Sequence, residues 1–370
     1  MSDRYAAAML DWLACAARGR NEPAARAAEA LGDDLQAAAV AGHVLDFDDT
    51  WTPGLAHLSA AAAPAALFAV AERDGTVREA LAAYARGFET MAALAGHGHP
   101  AIYQRGTHPT AATGAVGAAA AWMAAAPPEP GGEEATGAAL ALALTRAGGL
   151  LAAFGGHGKP FGVAGGAAAG RDAARLALAG GRADLGAILA GACDAWGADP
   201  LPADDLMAIA TGAVPGRAIE ENWIKAYPCC LQTHSAIEAA LTVDATQARA
   251  GRLRARVHPI SLRAAAVQRP RTGMEAKFSI PYLVAWGLLR GRPAVESFDD
   301  VDEEVVDASL RLVVEADESL GQSEAVLDRD GYELARVVEA LGSPSRPMSK
   351  AELETKVRTL AGAELVSALD

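Results

Sequence analysis

Apolar and polar positions follow two rhythms along the chain, and the rhythm changes near residue 218. Before that point apolar residues recur every three or four positions, the period of a helix with one buried face. The spacing predicts a helix over residues 3–18 and another from Asp33 to Asp46, which runs into the acidic cluster Asp46-Phe47-Asp48-Asp49. Pro53 and Gly54 mark a loop from Thr50 to Leu58, and Ser59 is the expected cap of a helix reaching Glu72. Thr76 and Glu79 have capping-box spacing and open a helix to about Leu94. His97 to Pro109 reads as a loop, Thr110 to Ala125 as a helix of small residues, and Pro127 to Gly132 as a surface turn. Two further helices flank the loop Gly155-Gly-His157-Gly-Lys159-Pro160.

Beyond residue 218 the period shortens. Leu253, Ala255 and Val257 alternate with Arg252, Arg254, Arg256 and His258, a strand pattern. Residues 309–316 read as a second strand. The turn Arg329-Asp330-Gly331 joins 325–328 to 332–338 in a hairpin. Helices are expected at 232–243 and 275–290, and Ser349 with Glu352 forms a second capping box. The expected fold is mainly α. Residues 1–217, completed by 346–370, form a large all-helical domain, and 218–345 form an inserted, smaller α+β lid domain.

Composition sharpens this picture. Of the 370 residues 51% are hydrophobic but only 5% aromatic, so alanine carries the core and helices can approach closely. The net charge of −14 argues against nucleic-acid binding, which draws its affinity from a basic face. Only five residues are Lys against 27 Arg, so each Lys invites a functional question. The four cysteines, Cys15, Cys193, Cys229 and Cys230, have neither zinc nor disulfide spacing. No signal peptide or membrane span is visible, and the expectation is a cytoplasmic protein without metal or cofactor.

Five segments carry candidate chemistry. His43-Val-Leu-Asp46-Phe-Asp48-Asp49-Thr50, followed by His57, crowds carboxylates near imidazoles; it reads either as a solvated helix end or as proton-handling groups. Arg105-Gly-Thr-His108-Pro-Thr110 puts a His at a helix start, where the dipole favours neutral imidazole. The Gly-rich turn around Lys159 lacks phosphate-loop spacing but suits a carboxylate. Lys225-Ala-Tyr-Pro-Cys229-Cys230-Leu-Gln-Thr-His234 gathers Lys, Cys and His at a helix start; a thiolate nucleophile competes there with buried, inert thiols. Lys277-Phe-Ser279-Ile-Pro-Tyr282 offers a phenol, which on an apolar helix is also a common core residue.

The order of these blocks resembles the MmgE/PrpD family. HVLDFDDTW, GTHPTAATGAVGAAAAW, GKPFGVAGGAAAGRDAARLALAG, KAYPCCLQTHSAIEAAL, KFSIPY and MSKAELETKVR follow one another over about residues 36–360. The resemblance implies enzymes such as 2-methylcitrate dehydratase, cis-aconitate decarboxylase and iminodisuccinate epimerase, which move a proton α to a carboxylate without metal. It implies a helical domain with an α+β lid and a homodimer. It carries over Asp46, His57, His108, Lys159, Lys225 and Tyr282 as catalytic groups, with Thr50 beside them. Arg105, Cys230 and His234 stand next to these motifs as further substrate contacts. Two departures stand out: Cys230 replaces a His of decarboxylase members, and Gly162 stands where relatives often have His. Both point away from cis-aconitate decarboxylation. The expected reaction is proton abstraction from a small di- or tricarboxylic acid with elimination. Epimerisation of an amino- or imino-dicarboxylic acid, or a degenerate, non-catalytic member, are the alternatives.

Overall fold

The structure is a computed structural model, and it describes residues 3–127, 132–244 and 253–366. Apart from the two-residue strand Thr50–Trp51, the first half is helical, with α1 at Asp3–Gly19, α2 at Pro23–Ala28, α3 at Asp34–His43 and α4 at Leu58–Ala71. There follow α5 at Val77–His97, a single turn α6 at Ala101–Gln104, α7 at Pro109–Ala125, α8 at Gly132–Leu144 and α9 at Gly158–Leu178. Helices α10 (Leu185–Trp196) and α11 (Ala203–Thr211) complete the series. Apart from Met123 and Ala124, α7 is buried around its whole circumference, so α4, α5, α8 and α9 pack about it. Small residues make this possible: a Cβ on Gly87 of α5 would stand 2.6 Å from the carbonyl of Gly117 on α7. A Cβ on Gly170 of α9 would likewise meet the Ala115 carbonyl at 2.5 Å, so backbones touch where larger side chains would separate them.

The remainder is mixed. After α12 (His234–Thr242), a four-stranded sheet has the order β4-β3-β5-β6, built from β3 (Leu253–Val257), β4 (Val313–Ala316), β5 (Ala325–Arg329) and β6 (Tyr332–Val337). On β3 the side chains of Leu253, Ala255 and Val257 are buried, as the alternation predicts, while Arg254 and Arg256 turn outward and both pair with Asp328 on β5. The remaining helices are α13 (Pro259–Ala264), α14 (Gly273–Ala276), α15 (Ile280–Arg290), α16 (Glu303–Ser309), α17 (Lys350–Ala361) and α18 (Ala363–Val366). Both capping boxes form, at Thr76/Glu79 and Ser349/Glu352.

Several local expectations differ; the single helix expected over 275–290, for one, divides into α14 and α15, which break apart at Lys277–Ser279. Ser59 does not cap α4; His57 stands at that position, and the Ser59 hydroxyl turns inward to Asp49 and Tyr84. Helix α3 ends at His43, three residues before Asp46, because Asp46 takes a left-handed backbone (φ 52°). The segment 309–316 divides: Ser309 ends helix α16 and only Val313–Ala316 is strand. Lys159 lies in the first turn of α9, not in a loop. The expected surface turn at Pro127–Gly132 falls largely outside the described residues. No helix among the described residues is long and apolar enough to cross a membrane.

Candidate active site

A short strand pair assembles the acidic segment. Thr50–Trp51 (β1) pairs antiparallel with Asn222–Trp223 (β2), with Thr50 opposite Trp223, which brings the end of α3 beside the segment carrying Lys225. Lys225, wholly buried, then donates to the Asp46 carboxylate at 2.5 Å and to the Asp46 carbonyl at 2.9 Å. Lys159 approaches from α9, its Nζ 3.1 Å from the other Asp46 oxygen but poorly aligned for a hydrogen bond. Burial pushes the Asp46 carboxyl up, but the two ammoniums outweigh it and hold the group well below the usual carboxylate range. Asp46 is therefore a permanent anion clamped between two cations.

A second anion orders the imidazoles. Asp48 Oδ2 lies 2.8 Å from His43 Nδ1 and 3.3 Å from His57 Nδ1. Burial raises the Asp48 carboxyl and the two rings oppose it, leaving it far below its ordinary value. An ionised Asp48 can only accept, so His43 and His57 both carry their proton on Nδ1, and the Nε2 of His57 keeps its lone pair. That Nε2 is 3.6 Å from Asp46 Oδ1. Burial lowers His57 to about 3 and, together with nearby Lys159, lowers His108 well below its usual value. Both rings are neutral bases. His108 adds a structural reason: it is the N-cap residue of α7, where the helix dipole disfavours a cation.

These groups meet at a small pocket of about 40 Å³ lined by Asp46, Thr50, His57, His108, Lys159 and Cys230. Larger hollows open elsewhere, up to about 500 Å³, but perturbed titratable groups converge on this one. Apolar side chains, among them Phe154 and Phe278, complete the lining, and Lys159 Nζ stands 5.2 and 5.3 Å from their ring centroids. Two residues beside the pocket, Asp46 and Leu55 (φ 48°), hold left-handed backbone conformations, a strain common at functional sites. Burial lifts the Cys230 thiol to about 11, so at neutral pH it is not a thiolate.

Three residues expected at the site lie elsewhere. Tyr282 faces the opposite side of α15, where its hydroxyl accepts from the Asp302 amide at 3.1 Å and its ring packs against Trp286. Arg105 is exposed and lies against Gly197. His234 is buried behind Lys225, its Nε2 3.2 Å from the Cys229 carbonyl and its ring on Tyr227. The pocket instead receives the phenol of Tyr103, together with Leu231 and Gln232. Lys277 is buried with Nζ 2.9 Å from the Leu45 carbonyl, closing the end of α3, and burial lowers it to about 8. His43 and Asp48 were already within the acidic motif; nothing local to Tyr103 marked it.

His43, Asp48 and His57 each offer a ligand atom, all within 4.8 Å of one another. His43 Nδ1 already bonds Asp48 Oδ2 at 2.8 Å and His57 Nδ1 stands 3.3 Å from the same oxygen, and the ammoniums on Asp46 repel a divalent cation. The cluster reads as a device that fixes tautomers.

The fold is mainly helical, and neutral imidazoles, an ammonium and a carboxylate from distant segments converge on one pocket. Two family models match the chain in order, the MmgE/PrpD N-terminal domain over residues 33–194 and the MmgE/PrpD C-terminal domain over residues 227–368. The chain belongs to the MmgE/PrpD family, a dehydratase- and lyase-like group. No curated protein matches it.

Proposed function

We propose that the protein is a metal-independent lyase that abstracts a proton α to the carboxylate of a small acid and expels a β-hydroxyl as water. One observation carries this reading: two buried neutral imidazoles, His57 and His108, line the same pocket as the Lys159 ammonium. Lys159 binds the carboxylate. A neutral imidazole, assigned to His108, takes the α-proton, and the C–H electron pair delocalises into the carboxylate. The charge that builds up there lies against Lys159, whose attraction strengthens as the transition state forms. The pair then forms the Cα–Cβ double bond, the β C–O bond breaks, and the departing oxygen takes the proton back from the imidazolium. Asp46 holds Lys159 in place, and Asp48 fixes the tautomer of His57.

The family resemblance adds a homodimer, which light scattering after gel filtration tests. The reaction itself is tested in D₂O with a panel of hydroxy acids, following the α-hydrogen by NMR. Deuterium should enter at the α-carbon with loss of water. Elimination without any exchangeable α-hydrogen, or no turnover of any acid by folded protein, contradicts the proposal.

A further inference from the structure

The few lysines of this chain gather on one turn. Four of the five are buried, and each brings its ammonium to residues 44–47. Lys277 donates to the carbonyls of Val44 at 3.4 Å and Leu45 at 2.9 Å, Lys225 to that of Asp46 at 2.9 Å, and Lys356 to that of Phe47 at 2.8 Å. Lys159 approaches the Asp46 carboxylate. Helix α3 has ended at His43 and Asp46 follows with a left-handed backbone, so no helical ladder supplies N–H partners to these carbonyls. Four consecutive carbonyls then need donors from elsewhere, and buried ammoniums supply them all.

Lys277 stands apart in this set. Lys159 and Lys225 pair with Asp46 and Lys356 with Asp11, whereas no carboxylate among the described residues pairs with Lys277. Its Nζ lies 5.5 Å from the centre of the Phe298 ring. Burial lowers it to about 8, although Asp46 and Glu22 oppose the shift. Folding thus disfavours the charged form, and ion-pair stability does not explain a lysine here. The main chain of the same residue faces the site. The Lys277 carbonyl accepts from the Cys230 amide at 3.0 Å, and the next residue, Phe278, lines the pocket with Cys230. Lys277 therefore ties the Asp46 turn to the pocket wall.

We propose that Lys277 is a positioning residue: by holding the carbonyls of Val44 and Leu45 it sets the left-handed turn that aims the Asp46 carboxylate at Lys159 and His57. It acts through Asp46 and touches no reacting atom. The catalytic consequence rests on the proposed reaction; the hold on the turn does not. A displacement of about 1 Å in a catalytic group costs on the order of 10²-fold in rate, so a loosened Asp46 should slow turnover without weakening substrate binding.

Two measurements on Lys277→Met, which keeps an unbranched stem and removes the ammonium, separate these parts. The first is native-state amide hydrogen exchange, with no substrate present. The Asp46 amide, which donates to the His43 carbonyl at 3.0 Å, should exchange at least about tenfold faster than in wild type, while amides within α7 keep their rates. An unchanged Asp46 amide, or an equal acceleration in α7, overturns the proposal. The second is turnover in D₂O of a hydroxy-acid panel that includes malate and citrate. With an acid that wild type converts, kcat should fall about 10²-fold and KM should stay within about threefold. An unchanged kcat, or a loss carried by KM alone, overturns the positioning role. If wild type converts no acid of the panel while the Asp46 amide responds, the hold on the turn stands and the proposed reaction falls. Lys277→Gln keeps a neutral donor and should show the same changes to a smaller degree; it reads the proposal if the Met variant does not fold.

Discussion

The ammonium of Lys356 stands 2.6 Å from the carboxylate of Asp11, joining the last long helix of the chain to the first. The same nitrogen donates to the carbonyls of Phe47 at 2.8 Å and Lys225 at 3.0 Å and lies 3.9 Å from the centre of the Phe47 ring. One cation thus braces both segments that hold the Asp46–Lys225 pair. Lys356→Met leaves a buried carboxylate and two carbonyls without a partner, at a cost of about 3–5 kcal/mol. Melting should fall by about 4–6 °C. Asp11→Leu combined with Lys356→Met should recover part of the loss, because no buried charge is then left alone. A single variant that melts like wild type contradicts this account.

Lys159→Ala and His108→Ala test the chemistry. Removing one stabilising donor from such a site costs about 10²–10³ in rate. Each variant should lose turnover by about that factor and keep its helical circular dichroism, since Asp46 retains Lys225. Turnover within a few-fold of wild type in both would remove these groups from the mechanism.

Cys230→Ser separates proton transfer from thiol chemistry. The thiol is protonated at neutral pH, with its pKa lifted to about 11 by burial. The variant should retain most of its activity, and wild-type enzyme should resist iodoacetamide at pH 7. Complete loss of turnover in Cys230→Ser, with His108→Ala still active, would favour covalent catalysis.

Asp49 predicts a pH effect on stability. Burial, then the neighbouring Asp48, raise its carboxyl to about 7 from 3.8, against the hydrogen bonds from Ser59 and Asn222. Between those values the folded protein holds a proton that the unfolded chain releases. The contribution of this group is therefore complete below about pH 4 and is lost as pH rises through 7, by roughly 4 kcal/mol in all. Asp49→Asn cannot ionise. Its melting temperature relative to wild type should improve from pH 5 to about pH 7 and level off above it. A difference that stays constant across that range would show that Asp49 does not titrate there.

The helices, both capping boxes, the hairpin at Arg329–Gly331 and the alternation on β3 were legible from the chain, because each depends on residues a few positions apart. So was the sequence block around Asp46, where carboxylates and imidazoles are close neighbours. The limits of local reasoning show at single residues. Ser59 has the right type for a helix cap, yet a distant Tyr84 and the buried Asp49 draw it inward. Tyr282 belongs to a recognisable motif but faces Asp302, since the rotation of α15 is set by what packs on each side of it. Tyr103, with no motif of its own, reaches the pocket that Tyr282 was expected to line. The sequence by itself determined which residue types the site contains and on which elements they ride, through short-range preferences of the backbone. Only the tertiary structure decided which cations are spent on Asp46, Asp11 and the end of α3. Charge pairing acts between groups more than 100 residues apart, and its outcome depends on distances that no local pattern encodes.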